Sequence, residues 1–237
     1  MSSPLRIGFV VEGPTDFVVL EAVVGALLGG REYESVAVQP LLSDAFTATT
    51  GGGWTATYLW CCQMVEQAGG AARTNPLFAF HDLLVMQVDA DIAGKSYADD
   101  DRIQNPPSDL PFNRACPPAR NTTDRLREIM LGWLDEGSLP PQMVFCTPSK
   151  SLETWVLVAL FPQNQFSASA NVECRLNPDA QIQAQPLAQR LIRSGKKDIA
   201  KYRDRATDVA AAWGYVCSRC TEAGRFTQEF LAVVPAQ

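Results

Sequence analysis

The sequence predicts a parallel α/β sheet with helices on both faces, and three observations predict it. Short, almost unbroken apolar runs recur as "RIGFVV", "SVAVQPLL", "LLVMQV" and "QMVFC". Stretches with helical spacing follow them in alternation, the order of βαβ units. The runs lack the in-and-out alternation of a half-exposed strand, as expected where both faces of a sheet are covered.

The elements follow in order. "RIGFVV" (6–11) is the first strand, and Gly13-Pro14 turns it into a helix. Pro14 suits a first helical position and Asp16 complements the positive end of the helix dipole. That helix runs to about Leu28 and stops at Gly29-Gly30. "SVAVQPLL" (35–42) is a second strand, "SDAFTATTGGG" (43–53) a loop, and 54–68 an amphipathic helix. The third strand, 83–88, ends on Asp89-Ala90-Asp91, and residues 92–120 read as a long irregular insertion rich in Asp, Pro and Asn. A helix capped by Asn121 or Thr122 follows, then a fourth strand in "QMVFCTPSK" and a helix in "SLETWVLVALF". Residues 1–161 are expected to form the α/β core, with an insertion at about 92–142. Residues 162–237 are expected to form a mostly helical extension packed on it.

Composition narrows the chemistry. The chain has 237 residues, 46% apolar and 19% charged, which is an ordinary globular balance. No apolar run reaches the roughly 18–20 residues that a membrane span requires. The N-terminus lacks a secretory pattern, so the protein reads as cytoplasmic, with its seven cysteines reduced and mostly buried. "CSRC" (217–220) has no second CxxC or His pair to complete a zinc site. His81 is the single histidine, which argues against nucleophilic triads and multi-histidine metal sites and leaves catalysis to carboxylates. No GxxxxGK[ST] motif occurs, so ATP hydrolysis is not expected of this chain.

The ends of parallel strands that feed helices lie along one edge, where ligands bind. Glu12, Asp89, Asp91 and Glu153 all fall on that edge. In a strand order 2-1-3-4, the first and third strands are neighbours, and Glu12 meets Asp89 and Asp91. If the segment stays extended, Asp89 and Asp91 point the same way, roughly 6–7 Å apart. Clustered carboxylates repel one another unless a cation sits among them, and all-oxygen ligands suit Mg²⁺ or Mn²⁺. The plainer readings are a turn residue for Glu12, helix capping for the Asp pair, and dipole compensation for Glu153. Trp155 reads as core, while Lys95, Lys150 and Gly51–Gly53 are weaker candidates for phosphate contacts.

"VVEGPTD", "VMQVDAD" and "PSKSLETWVL", in that order, resemble the Toprim fold, and in particular small bacterial Toprim-like proteins of the OLD and RloB-like nuclease branch. "TGGGW" and "CTEAGRF" are similar to the same branch. The resemblance implies a general acid or base at Glu12, metal ligation by Asp89 and Asp91 with Glu12 completing the site, and an assisting role for Glu153. It also implies an antiviral-defence effector that works with an ABC-type ATPase partner. One departure is the lack of a second acidic pair beyond Asp99-Asp100-Asp101, which leaves one or two metals open.

"RLIRSGKKDIAKYRDR" (190–205) is basic within a chain of net charge −6. Arg190, Arg193, Lys196, Lys197 and Lys201 could track a nucleic-acid backbone, with Tyr202 stacking on a base. The plainer reading is a solvated helix face. The leading expectation is a Mg²⁺- or Mn²⁺-dependent nuclease acting on DNA or RNA. The alternatives are a non-catalytic subunit that binds nucleic acid or an ATPase, and a nucleotide phosphohydrolase. Oligomeric state is left open.

Overall fold

The computed structural model describes residues 3–40 and 52–235. Strand β1 (Leu5–Val10) leads into α1 (Pro14–Leu27), β2 (Tyr33–Gln39), α2 (Trp54–Ala68), a one-turn α3 (Leu77–Phe80) and β3 (Leu83–Gln87). Helix α4 (Arg120–Trp133), β4 (Met143–Cys146) and α5 (Glu153–Leu160) follow. The remainder holds α6 (Pro178–Gln183), a hairpin of β5 (Ile192–Arg193) and β6 (Lys196–Lys197), α7 (Ile199–Ala211), α8 (Trp213–Arg219) and α9 (Thr221–Val233). The four long strands form the parallel sheet that the sequence predicts, and their order is β2-β1-β3-β4, the one under which Glu12 was expected to meet Asp89 and Asp91. The expected loop at 43–53 lies, apart from Gly52 and Gly53, outside the described residues.

Successive side chains of a strand point to opposite faces, and the two halves of the core sort accordingly. Ile7 and Phe9, Leu83 and Val85, and Val144 and Cys146 face one layer, with α1, α5 and the C-terminal helices. Val10, Leu84, Met86, Met143 and Phe145 face the other, with α2 and α4. Both faces are therefore covered, which is why these strands read as unbroken apolar runs.

Two local features differ from the expectation, and a third adds to it. Helix α4 starts at Arg120 with no side-chain cap, so Asn121 and Thr122 lie inside its first turn. The prolines at 117 and 118 bar a helix upstream of themselves, and it begins as soon as they permit. The 92–120 segment is anchored by its own aromatic residue. Tyr97 packs against Trp54 and Tyr58, accepts the Trp133 Nε1–H at 2.7 Å and donates to Asp109 at 2.8 Å. Finally, Cys116 and Cys174 form a disulfide tying that segment to the C-terminal part, where the sequence reading had cysteines reduced. Cys217 and Cys220 are free thiols.

Residues beyond 162 share the first core layer through Phe166, Tyr202, Val209, Trp213, Phe226 and Phe230. No helix among the described residues is long and apolar enough to cross a membrane.

Gly8 on β1 sits opposite Leu84 of β3. A Cβ there would stand 2.5 Å from Leu84 Cδ2 and 2.9 Å from His81 Cδ2. Gly8→Val is predicted to destabilise the fold by about 1–3 kcal/mol through overpacking, seen as a lower urea midpoint.

Candidate metal and phosphate site

Each acidic residue is placed by the end of a strand. Glu12 follows β1 by two residues, and its backbone N–H donates to the Gln87 side chain at 3.1 Å. Its Oε1 accepts the Asp89 backbone N–H at 2.7 Å. Adjacent β1 and β3 thus bring the first and third turns together, as the strand order requires. Glu12 O also accepts the Gly53 N–H at 2.8 Å, which fixes the start of α2 beside the same loop.

The stretch after β3 continues the ladder toward β4. Ala90 N–H donates to Pro148 O at 2.8 Å and Asp91 N–H to Lys150 O at 3.2 Å. Asp89 is buried, and its Oδ1 accepts from Gln87 Nε2 at 2.8 Å and from the Leu152 N–H at 3.1 Å, just ahead of α5. One oxygen therefore does the helix-capping work that the plainer reading proposed.

Asp91 departs from the expected geometry. A 3-10 turn spans Ala90–Gly94, so the backbone does not stay extended from Asp89 to Asp91. Asp91 is exposed, pairs with Lys95 at 3.9 Å and lines two neighbouring clefts with Lys150. One of these, about 340 Å³, also carries Asp179.

Glu153 is 1% exposed. Its Oε1 accepts from Lys197 Nζ at 2.6 Å and from the Tyr202 hydroxyl at 3.0 Å. Asp16, 3% exposed, lies 3.9 Å from the same ammonium through Oδ1. Asp16 Oδ1 and Glu153 Oε2 are buried with no hydrogen-bond partner. A cleft of about 470 Å³ is lined by Glu12, Gly13, Asp16, Gly52, Gly53 and Lys197, among others.

Charge crowding shows in the proton affinities. Burial, with Asp16 and Asp91 adding to it against the Asp89 N–H, pushes the Glu12 carboxyl up to about 8. Burial and Glu153, opposed by Lys197, push Asp16 up to about 7. Burial, then Glu12, Asp16 and Glu153, hold Asp89 well above the usual range. Partial loss of water at the cleft wall raises Asp91 against three lysines although its side chain is half exposed, and burial with Glu153 brings Asp179 to about 6. Burial alone would lower Lys197, but Glu153, Asp16 and Asp89 hold it above its ordinary value.

The donor chemistry, all carboxylate oxygen, suits a hard divalent cation, and the two unpartnered acceptors belong to Asp16 and Glu153. Among the described residues, however, no group of three or more His, Cys, Asp or Glu side chains is gathered closely enough to hold a metal ion. Glu12 meets the backbone N–H of Asp89, Asp91 lines the adjoining clefts, and Glu153 joins through Lys197.

The basic stretch does not form one stripe. Arg193 and Lys196 are exposed on the hairpin, Arg190 donates to Gln185 O at 2.5 Å, and Lys201 reaches Leu187 O at 3.5 Å. Lys197 turns inward to the acids. Tyr202 is 2% exposed and bonded to Glu153, so it offers no face for a base to stack on. Trp155 is core, with its Nε1–H on Glu173 at 3.1 Å. Asp99 closes a capping box with Ser96, and Asp100 accepts from Arg102 Nε at 2.9 Å. His81 precedes β3, at the opposite end of the strand from Asp89.

Sequence reasoning missed Asp16, read as a helix-dipole residue, and also Gln87 and Asp179. Gln87 had a signal, being the one polar residue within "LLVMQV". Asp179 had none, because only chain packing brings the first turn of α6 beside Asp91 and Lys150.

Glu12 keeps its proton in the fold up to about pH 8, whereas its ordinary value is 4.5. The folded state therefore binds more protons between those values, and stability must fall as pH rises through the window. Asp16 acts in the same direction, from 3.8 to about 7. The metal-free protein in chelator is predicted to show a lower urea midpoint at about pH 8 than at about pH 5. Glu12→Gln should flatten that slope; a flat or rising midpoint in the unsubstituted protein would contradict the charge crowding.

Among known proteins, no family model, no curated protein and no solved structure matches this chain.

Proposed function

We propose that the protein is a Mg²⁺- or Mn²⁺-dependent phosphodiesterase of Toprim-like design that cleaves DNA or RNA. The observation that carries this reading is that the Glu12 carboxylate accepts the backbone N–H of Asp89 at the carboxyl edge of the sheet, with both carboxyl groups pushed toward the protonated form. A cation there would relieve that crowding. Glu12, Asp89 and Asp91 are the residues that would hold it. When bound, it would supply charge to position phosphate oxygens and to acidify a water molecule.

The chain's own groups account for the rest. Glu12, partly buried at the cleft wall with its carboxyl near neutral pH, is suited to take or give a proton. Gly52 and Gly53 line the cleft at the start of α2, where a helix N-terminus favours an anion, although the Gly53 N–H itself is taken by Glu12 O. Arg193 and Lys196 are exposed on the hairpin whose last residue, Lys197, lines that cleft, and they suit a phosphate backbone without reading sequence. An ABC-type ATPase partner and a defence role follow from the Toprim resemblance alone.

A second reading is a non-catalytic nucleic-acid- or ATPase-binding subunit. It is favoured by the absence, among the described residues, of a closely gathered metal-holding group and by the capping role of Asp89.

Incubation with plasmid, single-stranded DNA and tRNA in Mn²⁺ is predicted to give cleavage that chelator stops. Glu12→Gln should lower the rate by about a hundredfold or more, and Asp89→Asn should abolish it while the circular dichroism spectrum is kept. Bound but intact polymer, with or without an ATPase partner, would favour the subunit reading. Phosphate release from nucleotides alone would favour a phosphohydrolase.

A further inference from the structure

The other cleft that Asp91 and Lys150 line, about 490 Å³, has two walls from separate parts of the chain. Phe112, Asn113 and Arg114 supply one, and Leu176 the other. The Cys116–Cys174 disulfide joins these walls, two residues beyond Arg114 and two before Leu176. It also bridges the two core layers, since Leu110 packs with the α2 and α4 side and Val172 with the α1 and α5 side. Cys116 Sγ lies 3.8 Å from Ser149 Oγ, and the next residue, Lys150, accepts the Asp91 N–H through its carbonyl at 3.2 Å. The bond therefore touches the strand-end segment that holds Asp91 in place.

Each wall has anchors besides the bond. Leu110 and Ala119 are buried on either side of Cys116, as are Val172, Glu173 and Pro178 around Cys174. Glu173 accepts from Trp155 Nε1 at 3.1 Å and from the Thr221 hydroxyl at 2.9 Å. Between those anchors, residues 113–115 and 175–177 are exposed, and the two bonded cysteines are partly exposed, within reach of a reductant. Arg175 adjoins Cys174 and Arg114 stands two residues before Cys116, cations that favour a departing thiolate. Burial pushes the free thiols of Cys61, Cys146, Cys217 and Cys220 up, so they are poor partners for exchange. We propose that the Cys116–Cys174 bond is a redox strap on this cleft, which a dithiol opens so that both walls loosen while the sheet stays folded. One thiolate of the dithiol attacks a strap sulfur and displaces the other cysteine as a thiolate. The second thiol of the reagent then resolves the mixed disulfide. Cys116 and Cys174 each end as a thiol carrying one proton, and the dithiol, having given two electrons, ends as a disulfide. This device needs no metal ion, so it stands apart from the reading above.

Hydrogen exchange of the full-length protein, followed by mass spectrometry with and without dithiothreitol, tests this. Reduction is expected to raise exchange about tenfold or more in peptides covering 111–118 and 173–177, the scale of a local opening. Peptides from β1, β3 and β4 are expected to stay protected, and reoxidation to restore the original rates. Cys116→Ser and Cys174→Ser should exchange at the reduced rate whether or not the dithiol is present. Walls equally protected after reduction would overturn the proposal, because the bond would then control nothing. A rise that extends to β1, β3 and β4 would overturn it as well, marking a staple for the whole fold. So would failure to recover a 116–174 cross-linked peptide from the oxidised chain. Should a serine variant fail to fold, the reduced unsubstituted chain decides.

Discussion

Withdrawing a carboxylate from water costs several kcal/mol unless opposite charge or hydrogen bonds offset it, and this fold does so with Glu12, Asp16, Asp89 and Glu153 beyond the carboxyl ends of β1, β3 and β4. The surrounding structure is arranged about that cost. Backbone N–H groups of Asp89 and Leu152, the Gln87 amide, the Tyr202 hydroxyl and the Lys197 ammonium each address one carboxylate oxygen. What they leave unmet appears as carboxyl groups that hold their protons to about pH 7 or 8. A purely structural acid is more often matched by an arginine in full, as Glu136 is by Arg73, which donates through Nε at 2.6 Å. Incomplete compensation at a strand edge beside a cleft is the pattern of a site built for a charged ligand.

The C-terminal part has a role in this balance. It carries no separate core, sharing instead the apolar layer built on β1, β3 and β4. Through that packing it holds Lys197 and Tyr202 against Glu153, a residue of the preceding α/β unit. The Cys116–Cys174 disulfide ties it further to the segment that follows Asp91. The acids come from the sheet, and much of their compensation comes from the tail.

Much of the fold was legible because period and punctuation are local. Unbroken apolar runs fixed the strands, Pro14 and Gly29-Gly30 bounded α1, and 54–68 was read to the residue. Of the site, Glu12 and Asp89 were legible as strand-end acids, and their meeting required the order 2-1-3-4, which the sequence reading could state only as a condition. Asp91 was misjudged in orientation, since the strand ends at Gln87 and a 3-10 turn intervenes, which alternation cannot foretell. Tyr202 and Lys197 were placed on a solvent-facing stripe because the segment looks like one basic helix. In the structure it is a hairpin followed by a helix, and the turn at Ser194-Gly195 redirects Lys197 inward. Contacts between residues 153 and 197, or 116 and 174, depend on chain packing and leave no trace in local pattern.

The account depends on whether a divalent ion enters between Glu12 and Asp89. Crystals soaked in Mn²⁺ and measured at the manganese absorption edge would answer that directly. The account predicts an anomalous peak about 2.1 Å from oxygens of Glu12 and Asp89. A well-ordered cleft with no peak there, or with manganese only at surface carboxylates such as Asp204, would contradict it.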